Sequence, residues 1–350
     1  MEVKALKFGG LTAKRPIVQG GMGAGVSLSS LAGNVAKCGG IGTISGVHPG
    51  YREADFKENP FRANLRAIGN ELEKAKEIAN GGIIGFNFMT VMNHYEEYVK
   101  EAIAAGADFI VSGAGLPVNL AKYAAGTRAA ILPIVSSARA LKLIVKQWQR
   151  ADRLPDAVVV EGPLAGGHLG YPYGHLVDGT FDTLEDSLVD VVDYVRELEE
   201  KNGVIIPVIA GGGVRSHADM ERLMALGASG VQVGTKFVAT EECDAAPAFK
   251  QAYLRSRKED VQLIESPVGL AARAIRNSFL EKVEKQGRIP VQRCYQCMNH
   301  CKQAETKYCI SQALIDAVQG REGLVFCGAN AYEIEKLSTV EKVMQELCGE

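Results

Sequence analysis

The sequence predicts an α/β protein built as a (β/α)8 TIM barrel, with a C-terminal helical, Cys-rich extension. Three observations carry this reading. Short β-branched runs alternate with longer amphipathic stretches. Successive runs lie a crossover helix apart, too far for hairpins. Glycine clusters follow several runs, at the strand ends where parallel barrels place their working loops.

Taken in order, the expected strands lie near 16–18, 40–44, 82–88, 108–111, 131–135, 157–160, 204–209 and 230–233. They lack in–out alternation. Runs such as Ala157-Val158-Val159-Val160 suit strands buried on both faces, as parallel strands between helices are. Helical patterns cover 62–79, 96–105, 138–151, 184–201 and 217–226, and Gly106, Gly203 and Gly227 stand where helices stop. An open doubly wound sheet would want Gly-x-Gly-x-x-Gly after the first strand, and Gly21-Met22-Gly23-Ala24-Gly25 is not that fingerprint. The rhythm places the barrel in 1–245 and an extension, expected to pack on it, in 246–350. In the extension, 246–256 and 271–286 read as helices. A last helix over 339–347 has Ser338 and Glu341 spaced as a capping box. Its apolar face is suited to pack on its own barrel or on a second subunit, so the oligomeric state stays open.

Composition narrows the function. Of 350 residues, 47% are hydrophobic and 23% charged, which fits a folded protein with a large core. Lys and Arg number 39 against 41 acids, for a net charge of −2, so no global field invites nucleic acid or an anionic membrane. No apolar run approaches the ~18–20 residues of a membrane span. Residues 1–18 lack the features of a secretion signal, and a cytoplasmic location is the expectation. Of eight cysteines, Cys294, Cys297, Cys301 and Cys309 crowd together, a pattern of metal or redox chemistry more than of disulfides.

The strand-end loops suggest a site. After the first strand, Gln19-Gly20-Gly21-Met22-Gly23 offers bare backbone to a flat ligand. After the seventh comes Gly211-Gly212-Gly213, with a helix beginning near Ser216, and after the eighth Gly234-Thr235. Together these are a phosphate-binding pattern: glycines allow close approach, and a helix N-terminus favours an anion. After the sixth strand, Glu161 leads to Ala165-Gly166-Gly167-His168, an imidazole set among glycines and suited to proton transfer near neutral pH. His175 is its competitor, in an apparent lid insertion. Asn87, ending the third strand, either holds a ligand's amide edge or caps a turn.

These motifs, with Pro16-Ile17-Val18 and Val231-Gln232-Val233 in the same order, resemble the nitronate monooxygenase (2-nitropropane dioxygenase) family and the related flavin-dependent enoyl-acyl-carrier-protein reductases. The resemblance implies FMN. Gln19, Gly20, Gly21 and Met22 would lie along the isoalloxazine, and Asn87 would hydrogen-bond it. Glu161, Gly166 and Gly167 would line the cleft. Gly212, Gly213, Gly234 and Thr235 would take the phosphate, with Gln232 nearby, and His168 would stand beside flavin N5. It also implies oxidation of alkyl nitronates, with His168 as base or substrate-orienting group. The alternative is an NAD(P)H-dependent reductase of enoyl thioesters; a non-catalytic flavin-binding module would have no need of His168. Two departures stand out. Glu161 replaces the Gln common in the family. The spacing of Cys294, Cys297, Cys301 and Cys309 resembles the motif of 2,4-dienoyl-CoA reductase-type enzymes, which implies a [4Fe-4S] cluster; zinc and unligated thiols are the other readings, and His300 is a substitute ligand.

Overall fold

The computed structural model describes residues 4–298 and 301–350. Eight strands close into a parallel barrel in chain order: β1 (Ile17–Gln19), β2 (Ile41–Ser45), β3 (Ile83–Met89), β4 (Phe109–Gly113), β5 (Ala130–Val135), β6 (Val158–Glu161), β7 (Val208–Gly211) and β8 (Gly230–Val233). β8 pairs back onto β1, with Gln232 beside Val18. The valines of β6 show why the strands lack alternation. Val158 and Val160 join the core beneath the helices, while Val159 joins a separate cluster with Val18, Ile41, Val111, Leu132 and Ile209 inside the barrel. An N-terminal hairpin, Leu6–Phe8 with Leu11–Ala13, adds Leu6 and Phe8 to that inner cluster, and Phe8 meets Phe109 edge-on.

The seventh strand begins later than its apolar run suggests. Ile205 is 85% exposed. Pro207 has no N–H to donate, and only its carbonyl joins the ladder, accepting from Val158 N at 3.0 Å.

The extension departs from expectation at 271–286. Ala271–Ile275 is a strand, and Asn277 starts a new helix, Ser278–Gln286, by accepting a hydrogen bond from Leu280 N. Alanine favours helix, but here the segment gains two partners. It lies between Val261–Glu265 and Gly167–Leu169 in a three-stranded antiparallel sheet that sets Ala272 opposite His168. The extension thus reaches directly into the loop after β6.

Three helices seat the rest. Pro247–Arg255 sends Phe249 and Tyr253 into the main core, Ile310–Val318 sends Leu314, and Val340–Cys348 sends Met344. The last helix is capped by Thr339, whose hydroxyl accepts from Lys342 N at 3.3 Å, and not by the expected Ser338–Glu341 box. Ser338 donates its N–H to Ala239 O instead. This helix lies on Ser29–Lys37, close enough that a Cβ on Gly40 would stand 2.7 Å from Met344 Cε.

Candidate active site

The loops at the C-terminal ends of β1, β6, β7 and β8 enclose a cleft of about 500 Å³. Gly20, Gly21, Met22, Asn87, Glu161, Gly166, Gly167, His168, Gly212, Gly213, Gln232, Gly234 and Thr235 all line it. Gln19 does not. It is wholly buried, its amide donating to Gly20 O and accepting from Thr43 N, so it shapes the turn.

The glycines are demanded by space as well as by turning. A Cβ on Gly21 would lie 2.3 Å from Asn87 Cβ, and one on Gly166 would lie 2.7 Å from Gly328 N. Gly212 and Gly213 hold φ of +104° and +88°, a region open chiefly to glycine. Beside them Gln232 Oε1 is buried without a partner among the described residues, an acceptor awaiting an N–H. A flat, N–H-bearing ring with a phosphate tail fits this lining. Ser216 and Asp219 form a full capping box on the helix His217–Ala225, and Asp219 also accepts from Arg215 N at 3.0 Å. The box occupies the Ser216 and Asp219 N–H groups, and the glycine turns stand beside that helix end with bare backbone.

His168 sits on the strand Gly167–Leu169. Its Nε2 pairs with Ser266 Oγ at 2.8 Å, and Phe326 meets its ring edge-on at 4.9 Å. Burial lowers its pKa to about 4, so it is neutral at pH 7. Glu161, at the end of β6, shows the opposite displacement: burial raises its carboxyl to about 8, against the pull of the nearby Arg273 charge. Arg273 is itself buried, comes from the extension strand, and donates to Ala165 O. A second cavity, about 930 Å³, opens beside the cleft and shares with it Ala114, Ile134, Glu161 and His168. His175, on the exposed helix Tyr173–Asp178, lines neither space.

The extension supplies much that the motifs do not announce. Phe326, Cys327, Gly328, Ala329 and Asn330 line the cleft, with Gly328 N donating to Thr235 Oγ1 at 3.2 Å and Ala329 N to Leu164 O at 3.1 Å. The run Cys327-Gly328-Ala329-Asn330, small and polar, is the one signal that could have marked this strap. Lys236 reaches the cleft wall but is held by Glu346 at 3.0 Å and by Arg215 O.

The cysteine cluster does not fit the [4Fe-4S] expectation. Among the described residues no three His, Cys, Asp or Glu side chains are arranged to hold a metal ion. Cys294 and Cys301 are exposed, while Cys297 and Cys309 are partly buried. Burial pushes the Cys297 thiol up to about 11, and the neighbouring Cys309, Cys301 and Cys294 add to the rise. His300 lies outside the described residues.

A closed parallel barrel with glycine turns at its seventh and eighth strands and ionisable groups lining the cleft suits a flavin-dependent oxidoreductase, and the family comparison shows that class. The family model of nitronate monooxygenase matches residues 4–350, and the chain belongs to that family. A probable nitronate monooxygenase of Staphylococcus saprophyticus is 26% identical over 308 residues, covering 81% of this chain and 82% of that protein. One from Staphylococcus aureus is 26% identical over 305 residues, covering 80% and 81%. Among solved structures, FabK from Thermotoga maritima superposes with a TM-score of 0.72 at 24% identity, covering 96% of this chain and 92% of FabK. Nitroalkane oxidase from Streptomyces ansochromogenes gives 0.66 at 21% identity, covering 96% and 95%. These two likenesses concern the fold. No helix among the described residues is long and apolar enough to cross a membrane.

Proposed function

We propose that the protein is an FMN-dependent oxidoreductase whose family-level substrate is an alkyl nitronate. The observation that carries this is the cleft itself: its wall brings together the bare glycine turns after β7 and β8, His168, Glu161 and Gln232, whose Oε1 has no partner among the described residues. FMN, when bound, supplies the centre that accepts and returns electrons. Gly212, Gly213, Gly234 and Thr235 hold its phosphate, Gln232 and Asn87 meet the polar edge of its ring, and Gly20, Gly21 and Met22 lie against its face. His168, neutral and tied to Ser266, orients the substrate beside the ring. A base with so low a proton affinity is a weak one for removing a proton from a neutral nitroalkane, so the anionic nitronate is the substrate form the site suits.

One observation favours a second reading, reduction of an enoyl thioester with NAD(P)H as the electron donor. The second cavity offers about 930 Å³ beside His168, far more than a small nitronate fills, and part of its wall is apolar: Leu116, Ile134, Leu169, Pro172 and Tyr173. Anaerobic mixing with NADH, NADPH or a propyl nitronate decides between them. Bleaching of the bound flavin by nitronate alone supports the first reading, and bleaching by a pyridine nucleotide supports the second. Protein that is colourless and takes up no FMN would sink both.

A further inference from the structure

We infer that Glu161 is the acid of this site, the group that holds a proton at neutral pH and hands it to the substrate. The argument is first one of place. Among the described residues only Ala114, Ile134, Glu161 and His168 line both cavities, so two ionisable side chains stand where cofactor and substrate would meet. His168 is committed: its Nε2 is held by Ser266. Glu161 is not. Its backbone carbonyl accepts from Tyr171 Oη at 3.1 Å, but its carboxyl oxygens have no hydrogen-bond partner among the described residues.

Its surroundings keep that proton on. β7 sets Gly211 opposite Glu161, and Ile134 of β5 shares the cavity walls with it, neither of them charged. The titratable groups facing it are His168, neutral at pH 7, Tyr171, whose phenol is pushed up to about 12, and Arg273 from the extension strand, with Cys327 beside Arg273. No ion pair joins Arg273 to Glu161 among the described residues; the guanidinium is turned to Ala165 O. Desolvation therefore outweighs the cation, and the carboxyl rises to about 8. Two groups displaced in opposite directions at one junction mark the acid as Glu161 and leave His168 a neutral orienting group.

The inference rests on the second, reductive reading of the flavin cleft, and its proton step belongs to that direction. In that direction FMN, when bound, would supply a hydride to one carbon of an activated alkene as the π pair moved to the neighbouring carbon. That carbon takes the proton from the Glu161 carboxyl as the O–H bond breaks. The carboxylate left behind recovers a proton from water entering by the second cavity. Arg273 acts through Glu161 as a positioning residue: its charge keeps the carboxyl from rising further.

The test has one arm without flavin and one with it. Infrared difference spectra of the protein as purified, stripped of any flavin, should show a protonated carboxyl band at pH 7 that vanishes on titration through about 8 and is missing in Glu161→Gln. In the FMN-loaded enzyme, photoreduced and mixed anaerobically with crotonyl-coenzyme A as probe, Glu161→Gln should slow flavin reoxidation by ~10²–10⁴ while FMN content holds. Glu161→Asp should recover part of the rate. Arg273→Met should move the alkaline limb of the rate upward, and Arg273→Lys should return it. A band already absent at pH 7, or Glu161→Gln reoxidising at the wild-type rate, overturns the inference. Failure to bind FMN with the band intact overturns the flavin reading and leaves the carboxyl assignment standing.

Discussion

At the scale of single residues, the cleft is set by atoms that are missing. Gly21→Ala would force a Cβ to 2.3 Å from Asn87 Cβ, so either the strand end or the loop must move. We expect FMN affinity to fall at least ~10-fold, about 1.4 kcal/mol, measured as flavin retained on gel filtration. His48 makes a different prediction. It is buried, pairs with Ser311 Oγ at 2.7 Å, and burial lowers its pKa to about 4. An unfolded chain protonates its histidines near ~6.5, so His48 supports the fold above that pH. Its contribution, roughly 3 kcal/mol, is lost as pH falls from about 6.5 towards 4. In His48→Gln the urea midpoint should decline less over that window than in the parent; equal declines would remove His48 from the acid limb. The glycines of the site were legible because positive φ and close approach select one residue type. Gln19 is harder to read, because a polar residue before a glycine turn looks like a ligand contact whether its amide faces the cleft or the turn. Ser266 and Arg273 left no mark: each is an ordinary residue whose partner lies 98 or 108 positions away.

At the scale of elements, the barrel strands were legible because burial on both faces leaves continuous apolar runs, and the helices between them because 3.6-residue periodicity survives any packing. Ala271–Ile275 was not, because alanine's preference points to helix and only the flanking strands overrule it. The strap Phe326–Asn330 is likewise defined by what it touches. Thr235→Val removes the acceptor for Gly328 N and leaves that donor unsatisfied, a local cost of about 1–3 kcal/mol. Amide exchange at Gly328 should then accelerate on the order of tenfold or more while the β6 and β7 amides hold their protection. Uniform acceleration across the barrel would show instead that the strap is not a separate cooperative unit.

At the scale of the molecule, barrel and extension share one contiguous core, in which Val231, Phe249, Leu314 and Met344 belong to the same cluster. Ending the chain at residue 245 would expose the barrel's share of that surface and remove Ser266 and Arg273 from the cleft. We expect a 1–245 fragment to be insoluble, or soluble with ANS binding and no sharp thermal transition. A fragment that melts cooperatively near the parent Tm would show the barrel to be self-sufficient. The strap has one more consequence, for the order in which the molecule matures. The phosphate turns are finished by residue 235, yet the polypeptide that lies against them is made about ninety residues later. A nascent chain therefore leaves the ribosome with its anchoring turns uncovered. A prosthetic group held by those turns would lie under polypeptide from the far end of the chain, so its release would require the Gly328–Thr235 contact to open.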